Sequence, residues 1–152
     1  MKKLFFVTAG GWKRYSGEAL EKTEFVNKIK NTFVGIKESN IRDVFNMVEL
    51  NTLFFECERK SKHIPPWCRV AAFNPEDMSV LPSGEAGILA YYDLSANSYP
   101  GFILTDDIGI VYEDKCTCGR TGQRVEIIRR VKSVDSRGCA LKMDKNYAEG
   151  EI

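Results

Sequence analysis

The sequence predicts an α/β chain, with a parallel strand-helix-strand edge followed by a mostly antiparallel β subdomain. Three observations carry this. An apolar run, Leu4 to Ala9, leads through Gly10-Gly11 into a segment with apolar residues at helical spacing, and a second short strand follows. After Pro65-Pro66 the texture changes to short β-branched and aromatic runs separated by turn residues. Repeats, low-complexity stretches and flexible linkers are absent from the sequence. The 152 residues are therefore expected to form one domain, with an α/β part at 1–64, a β-rich part at 65–143 and a frayed polar tail at 144–152.

Each element has its own signal. Met1-Lys2-Lys3 before Leu4 to Ala9 mimics a secretory leader, but the apolar run is too short and Lys13-Arg14 follow, so a buried strand is expected. Gly10-Gly11-Trp12-Lys13 reads as a tight turn. A helix is expected over Glu18 to Phe33, with Ala19, Val26, Ile29 and Phe33 on one face and Glu18/Lys22 and Glu24/Lys28 as pairs four apart. Ile41 to Met47 reads as a strand ending at Glu49. Strands are expected at Cys68 to Phe73, Gly87 to Tyr92, Phe102 to Thr105, Gly109 to Tyr112 and Val125 to Val131, with turns at Asn74-Pro75-Glu76-Asp77 and Pro82-Ser83-Gly84-Glu85.

Composition bounds the function. Hydrophobic residues at 43% and charged ones at 28% describe a globular protein, and a net charge of +1 gives no global attraction to nucleic acid or membrane. No stretch approaches the ~20 apolar residues of a membrane span. An odd number of cysteines without a leader favours a reducing, cytoplasmic setting.

Cys57, His63, Cys116 and Cys118 form the most informative set. A Cys-x-Cys-Gly turn puts two thiols on one side of a loop, and three sulfurs with one imidazole make a closed tetrahedral shell for a structural zinc. Free buried thiols with a surface histidine account for the same spacing. Cys68 and Cys139 read as small core residues. Gly10-Gly11 lies where open α/β sheets bind ligands, or is simply the turn. Glu49 is a metal ligand near phosphates or a solvated strand end. Thr105-Asp106-Asp107 takes ribose hydroxyls or a cation, or is an Asx turn. The basic stretch Arg120, Arg124, Arg129, Arg130, Lys132 and Arg137 recognises phosphate or is a solvated strand face.

The order of motifs is specific. Gly10-Gly11-Trp12-Lys13, Phe45-Asn46-Met47-Val48-Glu49, Glu56-Cys57, His63, Leu81 to Gly87, Ser98-Tyr99-Pro100-Gly101, Leu104-Thr105-Asp106-Asp107, Cys116 to Arg120 and Arg137-Gly138-Cys139 resemble the acyl-protein synthetase (LuxE) family. That family activates fatty acids for reduction to aldehyde in bacterial bioluminescence. A similar series occurs in phenylacetate–CoA ligases of the same adenylate-forming superfamily, so an aryl-acid CoA ligase-like fragment is the alternative.

The resemblance implies an adenylate-forming fold and several residue roles. Gly10 and Gly11 would lie against adenine, as would Phe45, followed by Asn46 and Met47. Glu49 matches the glutamate that helps bind magnesium, and Asp107 the aspartate that takes the ribose hydroxyls. Arg130 resembles the arginine that contacts ribose or phosphate. Lys132 falls near the hinge of a C-terminal lid and, with Glu49, is a catalytic candidate. Cys57, His63, Cys116 and Cys118 match positions where some relatives hold a structural zinc. Asn46 and Arg129 stand where the family usually has glycine.

The phosphate loop of such enzymes would lie upstream of Leu4, so the chain is expected to be a C-terminal portion of a longer enzyme, with little turnover alone. The implied cofactors are ATP and Mg2+ in the full-length enzyme. Its partners would be a carboxylic acid substrate and a thiol acceptor, with no nucleic acid and no membrane. A homo-oligomer through exposed apolar surface is also expected. The rival from another class is a zinc-stabilised, non-catalytic binding module using the Arg120 to Arg137 stretch.

Overall fold

The computed structural model describes residues 4–10, 20–97 and 100–130. Among these, eight strands form two sheets, accompanied by one α-helix. β1 (Phe6–Ala9), β2 (Ile41–Phe45) and β3 (Phe54–Phe55) make a three-stranded sheet in that order. β4 (Lys62–His63), β5 (Cys68–Phe73), β6 (Ala86–Asp93), β7 (Phe102–Tyr112) and β8 (Arg124–Arg130) make a five-stranded sheet in the order β4-β8-β7-β6-β5. The expected parallel edge followed by antiparallel β is what forms.

β1 pairs in parallel with β2 from Phe6↔Ile41 to Ala9↔Val44. A parallel pair needs a long crossover, which contains α1 (Lys22–Thr32). Val26 and Ile29 on α1 pack with Ile36, Ile41 and Phe6 in a small core under the helix. The Glu24–Lys28 pair forms at 3.4 Å. The helix starts later than its periodicity suggests: Leu20 and Glu21 are not helical, and Glu21 caps the helix with no side-chain hydrogen bond. Phe33 is the C-cap, partly exposed, with its ring 5.5 Å from that of Phe6. The expected contributions of Glu18 and Ala19 lie outside the described residues.

β1 is not the buried strand expected. It is an edge strand whose burial alternates, and Phe5 and Val7 on the face away from α1 are both 53% exposed. β2 ends at Phe45 rather than Met47, because Asn46 turns its carboxamide onto the Leu50 and Thr52 carbonyls (3.4 and 3.2 Å) and closes a loop.

The main core lies between the sheets. Phe54, Val70, Ala72, Leu89, Tyr91, Val111 and Val125 are buried there with Leu50 and Ile64. One correction concerns β7. Two strands broken at Thr105-Asp106-Asp107 are expected, but Phe102–Tyr112 is continuous, and no Asx turn forms. Thr105 Oγ1 donates to the Leu89 carbonyl (2.9 Å) and accepts from the Asp107 N–H (3.2 Å), while Asp107 meets Arg130 across the ladder. The carboxylate is thus neutralised within the sheet, and the strand need not break. Irregular register at Ile88/Ala90 and Ile108/Gly109 absorbs the local mismatch.

Candidate functional site

Two short hairpins bring the four candidate metal ligands together. Cys57 follows the Glu56↔Lys62 bridge in a turn closed by Cys57 N–H to the Ser61 carbonyl (2.8 Å), and His63 lies on β4. Lys60 completes that turn at φ 61°. Cys116 and Cys118 lie in the β7–β8 connection, where Gly119 adopts φ 91° and donates to the Cys116 carbonyl (2.9 Å). That backbone conformation is the reason for glycine at 119. β4 pairs with β8 through Lys62↔Val125 and His63↔Arg124, so the two hairpin tips meet.

The donor atoms, three Sγ and one imidazole nitrogen, all lie within 4.8 Å of one another. Cys57 Sγ and Cys116 Sγ are 3.9 Å apart, and Cys118 Sγ is 3.4 Å from His63 Nε2. A tetrahedral ion at ordinary thiolate and imidazole bond lengths sets edges of about 3.8 Å and about 3.6 Å. The sulfurs are far outside the ~2.05 Å of a disulfide. The Arg59 N–H points at Cys57 Sγ (3.3 Å) and the Cys118 N–H at Cys116 Sγ (3.5 Å).

The electrostatics differ among the donors: the Arg120 N–H lowers the Cys118 thiol, but burial and the neighbouring Cys116 and Cys57 sulfurs outweigh it and raise it. Burial pushes the Cys116 thiol up, but the Cys118 N–H and contacts from Cys118, Cys57 and Ser61 outweigh it and hold the thiol at about 7. Burial, then the charges of Arg120 and Arg124, lower His63 and keep its ring neutral, as a ligand requires. Cys68 belongs elsewhere: it packs against the main core, and burial pushes its thiol up to about 11. Cys139 lies outside the described residues.

The remaining candidates are split. Asp107 is buried, 4% exposed, on the core side of β7. Arg130 lies opposite it, with Nε donating to Oδ1 (2.9 Å) and Nη2 to Oδ2 (3.4 Å). That carboxylate, then the charges of Asp106 and Glu49, raise the guanidinium further, so Glu49 at its exposed turn lies within electrostatic reach of the pair. Phe45 packs against the main core, with its ring stacked 5.9 Å from that of Tyr91 at 22°. Met47 packs against the main core, and the Asn46 carboxamide is spent on its own loop. The Ala9↔Val44 register carries Gly10 to the level of Phe45.

Gly10, at φ 80°, also borders a cavity of about 360 Å3 under the start of α1. Its lining includes Lys22, Phe25, Glu56 and Lys60 but neither Phe45 nor Asp107. Gly11, Lys132 and Arg137 lie outside the described residues. Within the basic stretch, Arg124 pairs with Asp114 (2.6 Å) and lies over the Tyr112 ring, while Arg130 is held by Asp107.

Sequence reasoning missed two clusters. Glu56, its side chain 1% exposed, meets Lys22 and Lys62, and Lys62 also meets Asp43 (2.9 Å). Asp93 is buried and accepts from the Asn51 N–H (3.0 Å), the Ser95 N–H (2.9 Å) and Ser95 Oγ (2.6 Å). Asp93 thereby ties the loop after β2, which carries Glu49, to the end of β6. Only the apolar context of Tyr91-Tyr92-Asp93 could have flagged it.

The family described as Acyl-protein synthetase, LuxE, matches residues 1–148. The chain belongs to the acyl-protein synthetase (LuxE) family. It is 42% identical over 146 residues to the long-chain-fatty-acid–luciferin-component ligase of Vibrio harveyi, a match spanning 96% of this chain and 38% of that protein. Against the ligase of the same name from Aliivibrio fischeri it is 44% identical over 141 residues, or 93% of this chain and 37% of the relative.

Solved structures with a similar fold include the luciferase-like enzyme of the Zophobas morio mealworm. The TM-score is 0.53 at 17% identity, over 85% of this chain and 31% of that one. A long-chain-fatty-acid-CoA ligase from Archaeoglobus fulgidus gives 0.53 at 15% identity, over 87% and 30%. At such identity the likeness shows the fold alone. It is the adenylate-forming fold, to which this acyl-protein synthetase family chain contributes an α/β fragment. No helix among its described residues is long and apolar enough to cross a membrane.

Proposed function

We propose that this chain supplies the nucleotide-facing part of an ATP-dependent acyl-activating ligase. In that reaction a fatty acid carboxylate attacks the α-phosphorus of ATP, forming an acyl-adenylate and releasing pyrophosphate. A thiol then takes the acyl group and AMP leaves. The observation that carries the reading is the buried Asp107 carboxylate held by Arg130, in a chain of this family. Asp107 would accept from ribose hydroxyls and the Phe45 edge of the site would flank adenine. Glu49 would help hold Mg2+, which neutralises phosphate charge when bound. Gly10 and Gly11 would let the chain pass close to the base, and Lys132 would lie near the hinge of a lid.

The Cys57, His63, Cys116 and Cys118 set would hold one zinc ion. Four protein donors leave no position for water, so its part is structural. The chemistry of the donors supports this: a thiol already drawn to about 7, a neutral imidazole, and backbone N–H groups aimed at two sulfurs.

Titration of the chain with AMP and ATP, followed by NMR, tests the nucleotide reading. Weak binding of both is expected, lost in Asp107→Ala; shifts indifferent to that substitution would overturn it. In the full-length protein, fatty-acid-dependent exchange of pyrophosphate into ATP tests the reaction itself.

A further inference from the structure

Between the start of α1, the turn before β4 and β8 lies another cavity, of about 430 Å3. Only Val125 and Ile127 in its wall are aliphatic, so nothing there selects a hydrocarbon. Four cations line it, Lys22, Lys60, Lys62 and Arg124, against two carboxylates, Glu56 and Glu126. Asp43 and Asp114, which pair with Lys62 and Arg124, do not belong to the wall.

Two of these cations are not fully met by the fold. Lys22 and Lys62 both meet Glu56, whose enclosed carboxylate also accepts from the Asp43 N–H (3.0 Å). Lys60 makes no ion pair among the described residues. Its ammonium donates to the Glu38 carbonyl (3.1 Å) and the Ile41 carbonyl, which carry no charge, and its third donor is left over. The Arg124 side chain is 14% exposed, with Nη2 on Asp114 (2.6 Å) and Nη1 reaching Ser61 Oγ at 3.5 Å. Its buried Nε has no hydrogen-bond partner among the described residues. A buried N–H without an acceptor is costly, and here it belongs to a side chain that lines a polar cavity.

We propose that this cavity is a binding site for a phosphate group. A phosphate brings about two negative charges at neutral pH and several acceptor oxygens, which suits a wall where cations outnumber carboxylates. Lys60 supplies charge that no carboxylate cancels, Arg124 Nε the orienting donor, and Ser61 a hydroxyl at the same wall. Glu126 is held by the Tyr112 hydroxyl (3.1 Å) and Glu56 by its lysines, so neither carboxylate is left bare toward the anion. Asp107 and Arg130 do not line this cavity, so the site is independent of the nucleotide reading. Free phosphate, pyrophosphate and a phosphate ester share the chemistry.

The test titrates inorganic phosphate into the isotope-labelled chain at constant ionic strength, followed by NMR. Saturable shifts are expected at the amides of Lys60, Ser61 and Arg124. Arg124→Lys keeps the charge but removes the Nε–H, and should weaken binding by about ten-fold, the worth of one hydrogen bond. Lys60→Gln should weaken it by at least as much; if that variant melts lower, because its carbonyl contacts are lost, Arg124→Lys decides alone. Shifts that sodium chloride reproduces, or an affinity unchanged in Arg124→Lys, would overturn the assignment. Asp107→Asn should bind phosphate as wild type does. Loss of binding there would move the anion to the Asp107–Arg130 pair and overturn the cavity, whereas a failed AMP titration would leave it standing. Pyrophosphate and glycerol 3-phosphate separate the sources: tighter binding of the ester than of inorganic phosphate marks an ester as occupant, and weaker binding marks a free anion.

Discussion

Asp107 and Arg130 stand opposite each other on β7 and β8, and the guanidinium closes over a carboxylate whose side chain is only 6% exposed. Asp107 occupies a mid-strand position that sequence patterning reads as a break between strands, and Arg130 the end of β8. The two residues are unequal: one is enclosed, the other half in water.

That inequality sets the first prediction. Arg130→Met should destabilise the chain by about 1–3 kcal/mol, since it leaves a buried acceptor unpaired. Arg130→Met combined with Asp107→Asn should recover part of the loss. Urea unfolding of the two variants measures both effects.

The proposed metal centre gives a second. Protein purified without a histidine tag should carry one zinc per chain, and a strong chelator should lower its melting temperature. Cys118→Ser should lower zinc content and melting temperature together. Metal analysis near zero, or melting indifferent to chelator, would exclude the centre.

Asp93 predicts an acid limb. Burial alone would raise its carboxyl, but the Ser95 hydroxyl and N–H, with Thr52 and Cys68, outweigh burial and hold it below the usual aspartate value. A depressed native value means stability that is complete above the unfolded value of ~3.9 and lost as pH falls through the native one. Asp93→Asn should therefore flatten the dependence of stability on pH below about 4, with a loss at neutral pH as the loop after β2 loosens. Unfolding curves at pH 3 to 7 read both.

Close strand packing supplies the fourth. A Cβ at Gly109 would lie 2.3 Å from the Glu126 carbonyl oxygen and 2.7 Å from Leu89 Cδ1. The first contact is backbone and cannot swing aside. Gly109→Ala should cost about 1–3 kcal/mol or more, whereas Ala at Gly84, where φ is 93° but no atom lies within 4 Å, strains only the backbone. Thermal melts of the two variants should rank them in that order.

Much of this was legible in the sequence, for physical reasons. Hydrophobic period and turn residues located β5, β6 and β8 to within a residue or so, because each strand has one buried face and ends at a turn. The four candidate metal ligands could be named because the family resemblance matched them to a zinc site of some relatives, whereas their spacing alone fits free buried thiols as well. What could not be read depended on partners far along the chain. Asp107 looked like a loop residue because its neutralising arginine lies 23 positions away. β1 looked buried because its apolar run does not say how many faces are covered.

The placement of the cysteine hairpins also orders assembly of the chain. β5, β6, β7 and β8 follow one another as sequence neighbours and can zip up locally, but β4 precedes them all and joins only at the far edge, Lys62 meeting Val125. Closing that long loop is slow and entropically late. The candidate metal ligands sit on the two sides of this last seam, so the four donors are not assembled before the seam closes. Capture of an ion by the proposed ligands would then be the final event of folding, and its rate a clock for the docking of β4 onto β8.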